Sequence, residues 1–300
     1  MCIKPPFLKT GDRIIILAPA SKVKSEYIET AHKVFTDWGL KVEYGAHLFS
    51  ENYKYAGLDN QRLLDLQMAL DDNDIKAIIC GRGGYGTTKI VDQLDIANFK
   101  HNPKWVLGFS DITALHSRIY NAGFQSLHGI MPSFFHHEGI SKSLKSLHDA
   151  LFGVDQTIPS APHILNRHGK AAGNLVGGNL ALLAHMVGTP TDIDTSDCIL
   201  FLEDVGEPLY NIDRMMLQLR RSGKLKAIKG FICGQFSELK ETPETYGKNA
   251  NEIILEHLEG LSIPVCFDFP VGHVALNYTL PVGAKAALMV DSEGSTLTIK

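Results

Sequence analysis

Cysteine is scarce in this sequence, and motifs that bind metal ions are missing from it. Its five cysteines are scattered and form no C-x-x-C pair, while Cys80, Cys198 and Cys233 lie inside strand-like apolar runs. This usage predicts buried thiols in a reducing compartment rather than a disulfide framework. The thirteen histidines include no H-E-x-x-H motif. We therefore predict no metal site, and we predict a solvated loop for the "FFHHEG" segment, which carries His136 and His137.

Long hydrophobic runs and an excess of positive charge are also missing. The longest early apolar run begins at Ile14 and is too short for a membrane span, and its flanks do not fit an ordinary signal peptide. The formal net charge of -4 and the pI near 6.3 provide no attraction to nucleic acid or to anionic lipid. We therefore expect a soluble, cytoplasmic protein with no nucleic-acid partner and no membrane partner.

What the first half does contain is a regular alternation of short apolar runs and amphipathic stretches. The runs "RIIILAPA", "KVEYGAH", "KAIICG", "KWVLGFS" and "QSLHG" predict strands, and the stretches between them have a helical period. This β-α-β pattern predicts an α/β fold with a doubly wound, mostly parallel sheet of the Rossmann-like or flavodoxin-like kind. In such sheets, ligands bind beyond the carboxyl ends of the strands.

The chain is predicted to have two domains. We expect an N-terminal α/β domain over residues 1–152, a linker over 153–170 that is rich in proline and glycine, and a smaller C-terminal α/β domain over 171–300. In the last of these, "GNLALLAHMVG", "PLYNIDRMMLQLRRSG" and "NEIILEHLEG" predict helices, and "CILFLEDVG", "IKGFICGQFS" and "PVCFDFPVG" predict strands. The tail predicts a hairpin around Ser292, Glu293 and Gly294.

A glycine-rich loop follows the third predicted strand. Gly81, Gly83 and Gly86 satisfy the G-x-G-x-x-G spelling of a dinucleotide-binding turn, but that turn normally follows the first strand and is paired with a later acidic residue that is missing here. In a phosphate-binding loop, Thr87 would have to be lysine. Two interpretations stay open: a sharp turn at a strand end, or a set of exposed amides that holds a transient oxyanion.

The next predicted strand ends in a candidate nucleophile. In "WVLGFSDITALH", Ser110 lies at a strand-to-helix junction, which is where a nucleophile elbow exposes its hydroxyl. The match to G-x-S-x-G is half complete, because Gly108 is present and Ile112 replaces the second glycine. A helix N-cap is the alternative interpretation of this serine.

Partners for such a nucleophile occur at two predicted strand ends of the second domain. Glu203 and Asp204 end the "CILFLED" run, and His273 follows "PVCFDFPVG". An acid and a histidine at two strand ends of one domain suggest an orienting carboxylate and a general base. Taken singly, Glu203 is also explained as an acid near a helix and His273 as a loop histidine.

Several ordered motifs together resemble one known family. "GRGGYG", "GFSDITALH", "GGNLALLAHMVGTP", "LFLEDVGEPLYNIDRMMLQL" and "PVGH" are similar to segments of the LD-carboxypeptidases, the muramoyltetrapeptide carboxypeptidases of cytoplasmic murein recycling. Relatives of that family include the microcin C self-immunity hydrolases. The resemblance runs from about Gly11 to Gly283.

The resemblance implies a Ser-His-Glu triad. It makes Ser110 the nucleophile, His273 the general base and then acid, and Glu203 the carboxylate that orients the imidazole. It assigns the oxyanion hole to the backbone N–H groups of Asp111 and of the glycine loop, for which we choose Gly84. It further implies a homodimer of two-domain subunits, with the site in the cleft between the domains, and no metal or organic cofactor.

The implied reaction is the release of terminal D-alanine from a murein tetrapeptide. A carboxypeptidase must hold the free terminal carboxylate, and Arg82 is the basic side chain that the sequence offers near the nucleophile. Gly83, which is also the second choice for the oxyanion hole, and Asn179 complete the predicted substrate contacts. A solvent-facing arginine and a helix-capping asparagine are the alternative interpretations.

Two other functions remain open at this point. A microcin-immunity-type hydrolase would cut an aminoacyl-nucleotide amide and would need an aromatic platform for the base, yet Trp38 and Trp105 are predicted at a helix end and a strand start. A non-catalytic protein that binds a small ligand would share the two-domain architecture.

Overall fold

The computed structural model describes residues 2–300, which form a mixed α/β structure. The strands are β1 Arg13–Leu17, β2 Lys41–Tyr44, β3 Ile75–Cys80, β4 Trp105–Gly108, β5 Ser126–His128, β6 Thr157–Ser160, β7 Gly169–Asn179, β8 Cys198–Val205, β9 Gly230–Ser237, β10 Val265–Cys266, β11 Leu280–Val282, β12 Lys285–Asp291 and β13 Gly294–Ile299. The helices are α1 Ser25–Asp37, α2 Asp59–Asp71, α3 Ala97–His101, α4 Thr113–Asn121, α5 Ser141–Phe152, α6 Leu180–Met186, α7 Leu209–Arg221 and α8 Ala250–His257.

The first sheet has the strand order β2-β1-β3-β4-β5-β11. Strands β1 to β5 pair in parallel, and β11 adds an antiparallel edge beside β5. The central strands are buried because apolar residues fill both of their faces, as in "IKAIIC" of β3. The predicted doubly wound, mostly parallel sheet is therefore confirmed. Its order 2-1-3-4-5 is the flavodoxin-like one of the two predicted.

The second sheet has the order β10-β9-β8-β7-β12-β13-β6. Strands β7 to β10 are parallel, whereas β12, β13 and β6 extend the sheet as antiparallel strands. The predicted hairpin is present, since β12 and β13 pair from Asp291 and Gly294 outward. Strand β7 was not predicted because glycine is frequent in it. These glycines permit close approach: a methyl group at Gly177 would lie 1.9 Å from the carbonyl oxygen of Phe201.

Two segments link the parts of the chain that were predicted as separate domains. Strand β6 lies inside the predicted linker 153–170 and pairs with β13 of the second sheet. Strand β11 comes from the predicted C-terminal domain but pairs with β5 of the first sheet. The domain boundaries themselves stay a prediction.

One apolar cluster extends across the seam between the two sheets. Phe109, Ile112 and Leu115, which lie around the start of α4, share this cluster with Val176 of β7 and Leu180 of α6. Helices α4 and α6 pack against each other at the same place. This packing fixes the end of β4 relative to the ends of β7 and β8.

The cysteines in the strands and the histidines of the "FFHHEG" segment differ in exposure, as the sequence predicts. Cys80, Cys198 and Cys233 are free and buried in β3, β8 and β9, as predicted. His136 and His137 lie exposed in an irregular loop before α5, where a solvated loop was predicted. Among residues 2–300, the longest helices have 13 residues, so none is long and apolar enough to cross a bilayer.

Candidate active site

Ser110 lies in the tight turn that joins β4 to α4. Its φ of 62° is in the left-handed region, which is unfavourable for a residue with a side chain. Gly108 lets the turn close, since a methyl group there would lie 2.7 Å from a side-chain carbon of Ile112. Neither the 3-10 turn 110–112 nor α4 has a side-chain cap hydrogen bond, so the hydroxyl is not used as a helix N-cap. This is the backbone geometry of a nucleophile elbow.

The glycine loop after β3 packs directly on this turn. A methyl group at Gly83 would lie 3.0 Å from Cβ and 3.3 Å from Oγ of Ser110. Gly84 and Gly86 have φ values of 102° and 138°, which are accessible to glycine and strained for other residues. Within residues 2–300, the N–H groups of Gly83 and Gly84 donate to no backbone carbonyl.

Glu203 and His273 form a hydrogen-bonded pair in the second half of the chain. Oε2 of Glu203, near the end of β8, lies 2.7 Å from Nδ1 of His273, and Glu203 is fully buried. Gly272 allows the contact, because a methyl group there would lie 3.1 Å from both Cβ and Oε2 of Glu203. Burial lowers the pKa of His273, but the charge and hydrogen bond of Glu203 outweigh this effect, so that the pKa is raised above its ordinary value.

The seam brings His273 close to the turn that carries Ser110. The imidazole lies 4.7 Å, between ring centroids, from the ring of Phe109, which directly precedes Ser110. The ring of Phe134 lies 6.5 Å from the same imidazole. The three residues predicted as a triad therefore occur on neighbouring segments, while their catalytic roles stay predictions.

Asp111 connects the turn to the glycine loop. Its Oδ2 accepts a hydrogen bond of 2.8 Å from the N–H of Thr87, and the residue is fully buried. Burial raises the pKa of Asp111, while its hydrogen bonds with Thr87 act in the opposite direction. Its own N–H lies in the first turn of a helix, where N–H groups lack an intrahelical partner.

The two predicted substrate-binding side chains are placed differently. Arg82 is exposed, and its Nη1 lies 3.3 Å from the carbonyl oxygen of Lys22. Asn179 is buried: its Oδ1 accepts from the N–H of Leu182 at 3.2 Å, and its Nδ2 donates to Oδ1 of Asp204 at 2.8 Å. This arrangement caps α6, which favours the second of the two interpretations given for Asn179.

Asp204 was placed at the same strand end by the sequence, but no role was predicted for it. It lies beside Glu203 in the buried end of β8 and also accepts the N–H of Ala181 at 2.9 Å. Burial, reinforced by the neighbouring Glu203 charge, raises the pKa of Asp204 to about 7. The apolar run before it predicted the strand end but not this second buried carboxyl group.

A buried histidine beneath the turn was also missed. Nε2 of His116 lies 2.8 Å from the carbonyl oxygen of Gly108, and its Nδ1 lies 2.8 Å from Oγ of Ser126. Because a carbonyl only accepts, Nε2 carries the proton and Nδ1 accepts from the serine hydroxyl. Burial lowers the pKa of His116 to about 4, so the ring is neutral at pH 7. A histidine three residues into a helix provides no sequence signal for this contact.

The loop is poorly suited to hold a phosphate. The N–H of Thr87 is engaged by Asp111, and Nζ of Lys89 lies 3.1 Å from Oδ2 of Asp59. For metals, no group of three or more His, Cys, Asp or Glu side chains within residues 2–300 could hold an ion. The geometry thus favours the oxyanion interpretation of the glycine loop over the nucleotide one.

A doubly wound sheet joined to a mixed sheet, with a strained serine after one strand and an acid–histidine pair at the seam, is the architecture of an α/β serine hydrolase. Comparison with known proteins makes the assignment specific. The sequence matches the LD-carboxypeptidase N-terminal domain over residues 14–129 and the LD-carboxypeptidase C-terminal domain over residues 172–288. The chain belongs to the LD-carboxypeptidase family, as the motifs indicated.

Individual relatives agree with this assignment. A probable murein peptide carboxypeptidase of Bacillus subtilis is 34% identical, with 95% of this chain and 91% of that protein covered. A muramoyltetrapeptide carboxypeptidase from Oxalobacter formigenes is 32% identical in sequence, and its crystal structure matches with a TM-score of 0.86 over 96% of this chain and 98% of that chain. A microcin C7 self-immunity protein in complex with aspartyl sulfamoyl adenosine matches with a TM-score of 0.87 over 99% of this chain and 98% of that chain. Its sequence identity is 20%, so this likeness shows the shared fold alone.

Proposed function

We propose that this protein is a serine carboxypeptidase that cleaves the L,D-peptide bond of murein tetrapeptides and releases terminal D-alanine. The observation that carries the proposal is the Glu203–His273 pair beside the strained Ser110 turn, in a chain of the LD-carboxypeptidase family. The Bacillus and Oxalobacter relatives, a probable murein peptide carboxypeptidase and a muramoyltetrapeptide carboxypeptidase, support the substrate class.

The proposed first step is acylation of the enzyme. Glu203 holds Nδ1–H of His273, which leaves Nε2 as the base that takes the proton from Ser110. The serine oxygen then bonds to the carbonyl carbon of the diamino acid, and the carbonyl oxygen becomes an oxyanion. As the tetrahedral intermediate collapses, the C–N bond breaks and the imidazolium returns its proton to the nitrogen of D-alanine.

The proposed second step releases the peptide. Water loses a proton to His273 and attacks the ester carbon, and the proton then returns to the oxygen of Ser110 as the ester bond breaks. In both steps the oxyanion would be held by the N–H groups of Asp111 and Gly84. Arg82 is proposed for the free carboxylate of the substrate, because it is the exposed cation of the glycine loop.

The cellular location and the oligomeric state are further parts of the same proposal. A cytoplasmic location is proposed on the free cysteines, four of which are buried. A homodimer is proposed on the family resemblance, and sedimentation of the purified protein at several concentrations tests it directly.

The proposal is tested with disaccharide tetrapeptide as substrate and mass spectrometry as the readout. We expect the wild type to remove one alanine, and we expect Ser110→Ala to be inactive while it still binds the peptide. Ser292→Ala, which changes an exposed hairpin serine, is the matched control and should retain full activity. Turnover by Ser110→Ala at the wild-type rate would refute the mechanism.

The two alternative functions give different results in the same experiment. A microcin-immunity-type hydrolase would cleave an aminoacyl sulfamoyl nucleotide in preference to the tetrapeptide. Trp105 is buried in β4 and Trp38 packs edge-on to Phe35, so neither offers a free platform for a base. A non-catalytic binding protein would cleave neither compound and would not react with a fluorophosphonate at Ser110.

A further inference from the structure

The glycine loop between β3 and the 3-10 turn 87–89 needs external support to act as an oxyanion hole. Residues 81–86 form no helix or strand, and the two positive-φ glycines allow many backbone conformations in an unconstrained loop. A donor of this kind is effective only when it is already aimed at the position where negative charge develops. Three residues outside the predicted triad contact the loop at successive positions.

The first contact involves Ser21, in the segment after β1. Its N–H donates to the carbonyl oxygen of Gly83 at 3.2 Å, and its Oγ accepts the N–H of Tyr85 at 3.3 Å. These bonds flank Gly84 on both sides. In a trans peptide the C=O and the following N–H point in opposite directions, so the Gly83 carbonyl directs the Gly84 N–H away from Ser21.

The second contact is made by Arg62 of α2, whose side chain is buried. Its Nη1 donates to the carbonyl oxygens of Pro19 at 2.5 Å and Gly86 at 2.9 Å. One guanidinium thus ties the segment after β1 to the far end of the glycine loop. Its Nη2 is paired with Asp59, which offsets part of the cost of the buried charge.

The third contact is the hydrogen bond from the Thr87 N–H to Oδ2 of Asp111. It is the one of the three that reaches the nucleophile turn, because Asp111 follows Ser110 directly. Gly83 packs on Ser110 at the same junction. The loop that carries one proposed donor, Gly84, is therefore held to the residue that carries the other.

We propose that the side chains of Ser21, Arg62 and Asp111 form a clamp that fixes the Gly84 N–H in the oxyanion hole. The Asp111 carboxylate acts as a positioning group that joins the two donor-bearing segments. This inference rests on the proposed function, since it assigns the support of the same oxyanion hole. It predicts that these side chains affect the transition state and leave substrate binding unchanged.

The decisive comparison is between Asp111→Ala and Asp111→Asn. Asparagine retains an oxygen that accepts the Thr87 N–H, whereas alanine removes the acceptor. We expect Asp111→Ala to lower kcat by about 100-fold, the effect of displacing a catalytic group by about 1 Å, with KM little changed. Asp111→Asn should retain most of the wild-type kcat. Asp92→Ala, at an exposed aspartate, is the control and should behave as wild type.

Two further measurements separate positioning from general damage. A phosphinate isostere of the tetrapeptide mimics the tetrahedral oxyanion, so Asp111→Ala should weaken its binding by the same factor as kcat/KM. Peptide binding, measured in the Ser110→Ala background, should not change. Hydrogen exchange at the Thr87 amide should be faster in Asp111→Ala than in Asp111→Asn.

Ser21→Ala keeps the inference testable if Asp111→Ala does not fold. This change removes the acceptor of the Tyr85 N–H and leaves Asp111 intact, and we expect a smaller loss of kcat and of phosphinate affinity. Wild-type kcat and phosphinate affinity in both Asp111→Ala and Ser21→Ala would overturn the clamp. By contrast, a wild type that releases no alanine would refute the proposed function, so the two failures are distinguishable.

Discussion

The imidazole of His273 is hydrogen-bonded to the carboxylate of Glu203 at 2.7 Å, although 70 positions separate the two residues along the chain. Glu203 lies near the carboxyl end of β8, and His273 lies in the irregular segment between β10 and β11. The bond commits Nδ1 of the ring, so Nε2 is the nitrogen left for proton transfer.

Replacing Glu203 by glutamine should shift the pH dependence of catalysis. The Glu203 charge counteracts the effect of burial and raises the pKa of His273 above its ordinary value, and a general base must be neutral. We expect the acidic limb of kcat/KM in the wild type to lie above pH 6.5 and to move to lower pH in Glu203→Gln, with a lower plateau. An unchanged limb, or a change confined to KM, would show that Glu203 does not act through the imidazole.

Gly272→Ala should separate the acid from the histidine. The added methyl group would lie 3.1 Å from both Cβ and Oε2 of Glu203, and the φ of 130° is unfavourable for alanine. We expect kcat to fall by about 100-fold through misplacement of the imidazole. Gly223→Ala is the matched control, because Gly223 has a φ of 83° with open space around it. Equal activity of the two variants would contradict the close-approach argument.

Asp204→Asn should change the pH dependence of stability. The folded protein holds a proton on Asp204 up to a pKa of about 7, compared with the ordinary value of 3.8. Between these values the folded state binds more protons than the unfolded state, so the free energy of unfolding falls as pH rises. The free energy of unfolding of Asp204→Asn relative to that of wild type should therefore rise from about pH 4 to pH 7, by up to about 1.4 kcal/mol per pH unit, and then level off.

Chemical denaturation at several pH values measures this difference. Asp92→Asn, which replaces an exposed aspartate, is the control for loss of one negative charge. A constant difference between Asp204→Asn and wild type across the interval would mean that Asp204 titrates as an ordinary carboxyl group.

Arg82→Ala tests whether the exposed arginine binds the substrate carboxylate. Loss of a charge-assisted hydrogen bond of 1.5–3 kcal/mol raises KM by roughly 10-fold to 100-fold, and kcat stays the same because the contact is equal in ground state and transition state. For a substrate with an amidated C-terminus, KM should be the same in Arg82→Ala as in the wild type. If KM for the free acid is also unaffected, Arg82 is a solvent-facing residue at a turn.

The first sheet could be predicted because its central strands β1, β3 and β4 are short apolar runs bounded by turn residues. The same rule failed for β7, whose sequence "GKAAGNLVGGN" has few apolar side chains. In β7 the glycines are needed because the backbone of the neighbouring strand lies very close, as at Gly177 beside the carbonyl group of Phe201. A single sequence carries no sign of that contact. Strand β11 was missed because its three residues pair with a distant part of the chain.

The sequence indicated some residues of the candidate site and missed others. Ser110 and Glu203 could be proposed because each lies at the end of an apolar run, where parallel strands present their carboxyl ends. His273 was proposed on the same pattern, but β10 ends at Cys266 and the histidine lies in the irregular segment that follows. Arg62 and His116 were missed since they act through hydrogen bonds to backbone carbonyls, which any sequence supplies. Contacts of this kind depend on tertiary structure and leave no residue pattern.

The pairing of β11 with β5 places His273 on a bridge between the two sheets. The segment that carries it starts at β10 in one sheet and ends at β11 in the other, with Leu280 opposite His128 and Val282 opposite Ser126. Cutting the gene after residue 152 would leave β5 as an open edge and would detach one anchor of the imidazole. The two halves of the chain are thus interdependent, because the segment that carries the imidazole is anchored in both sheets.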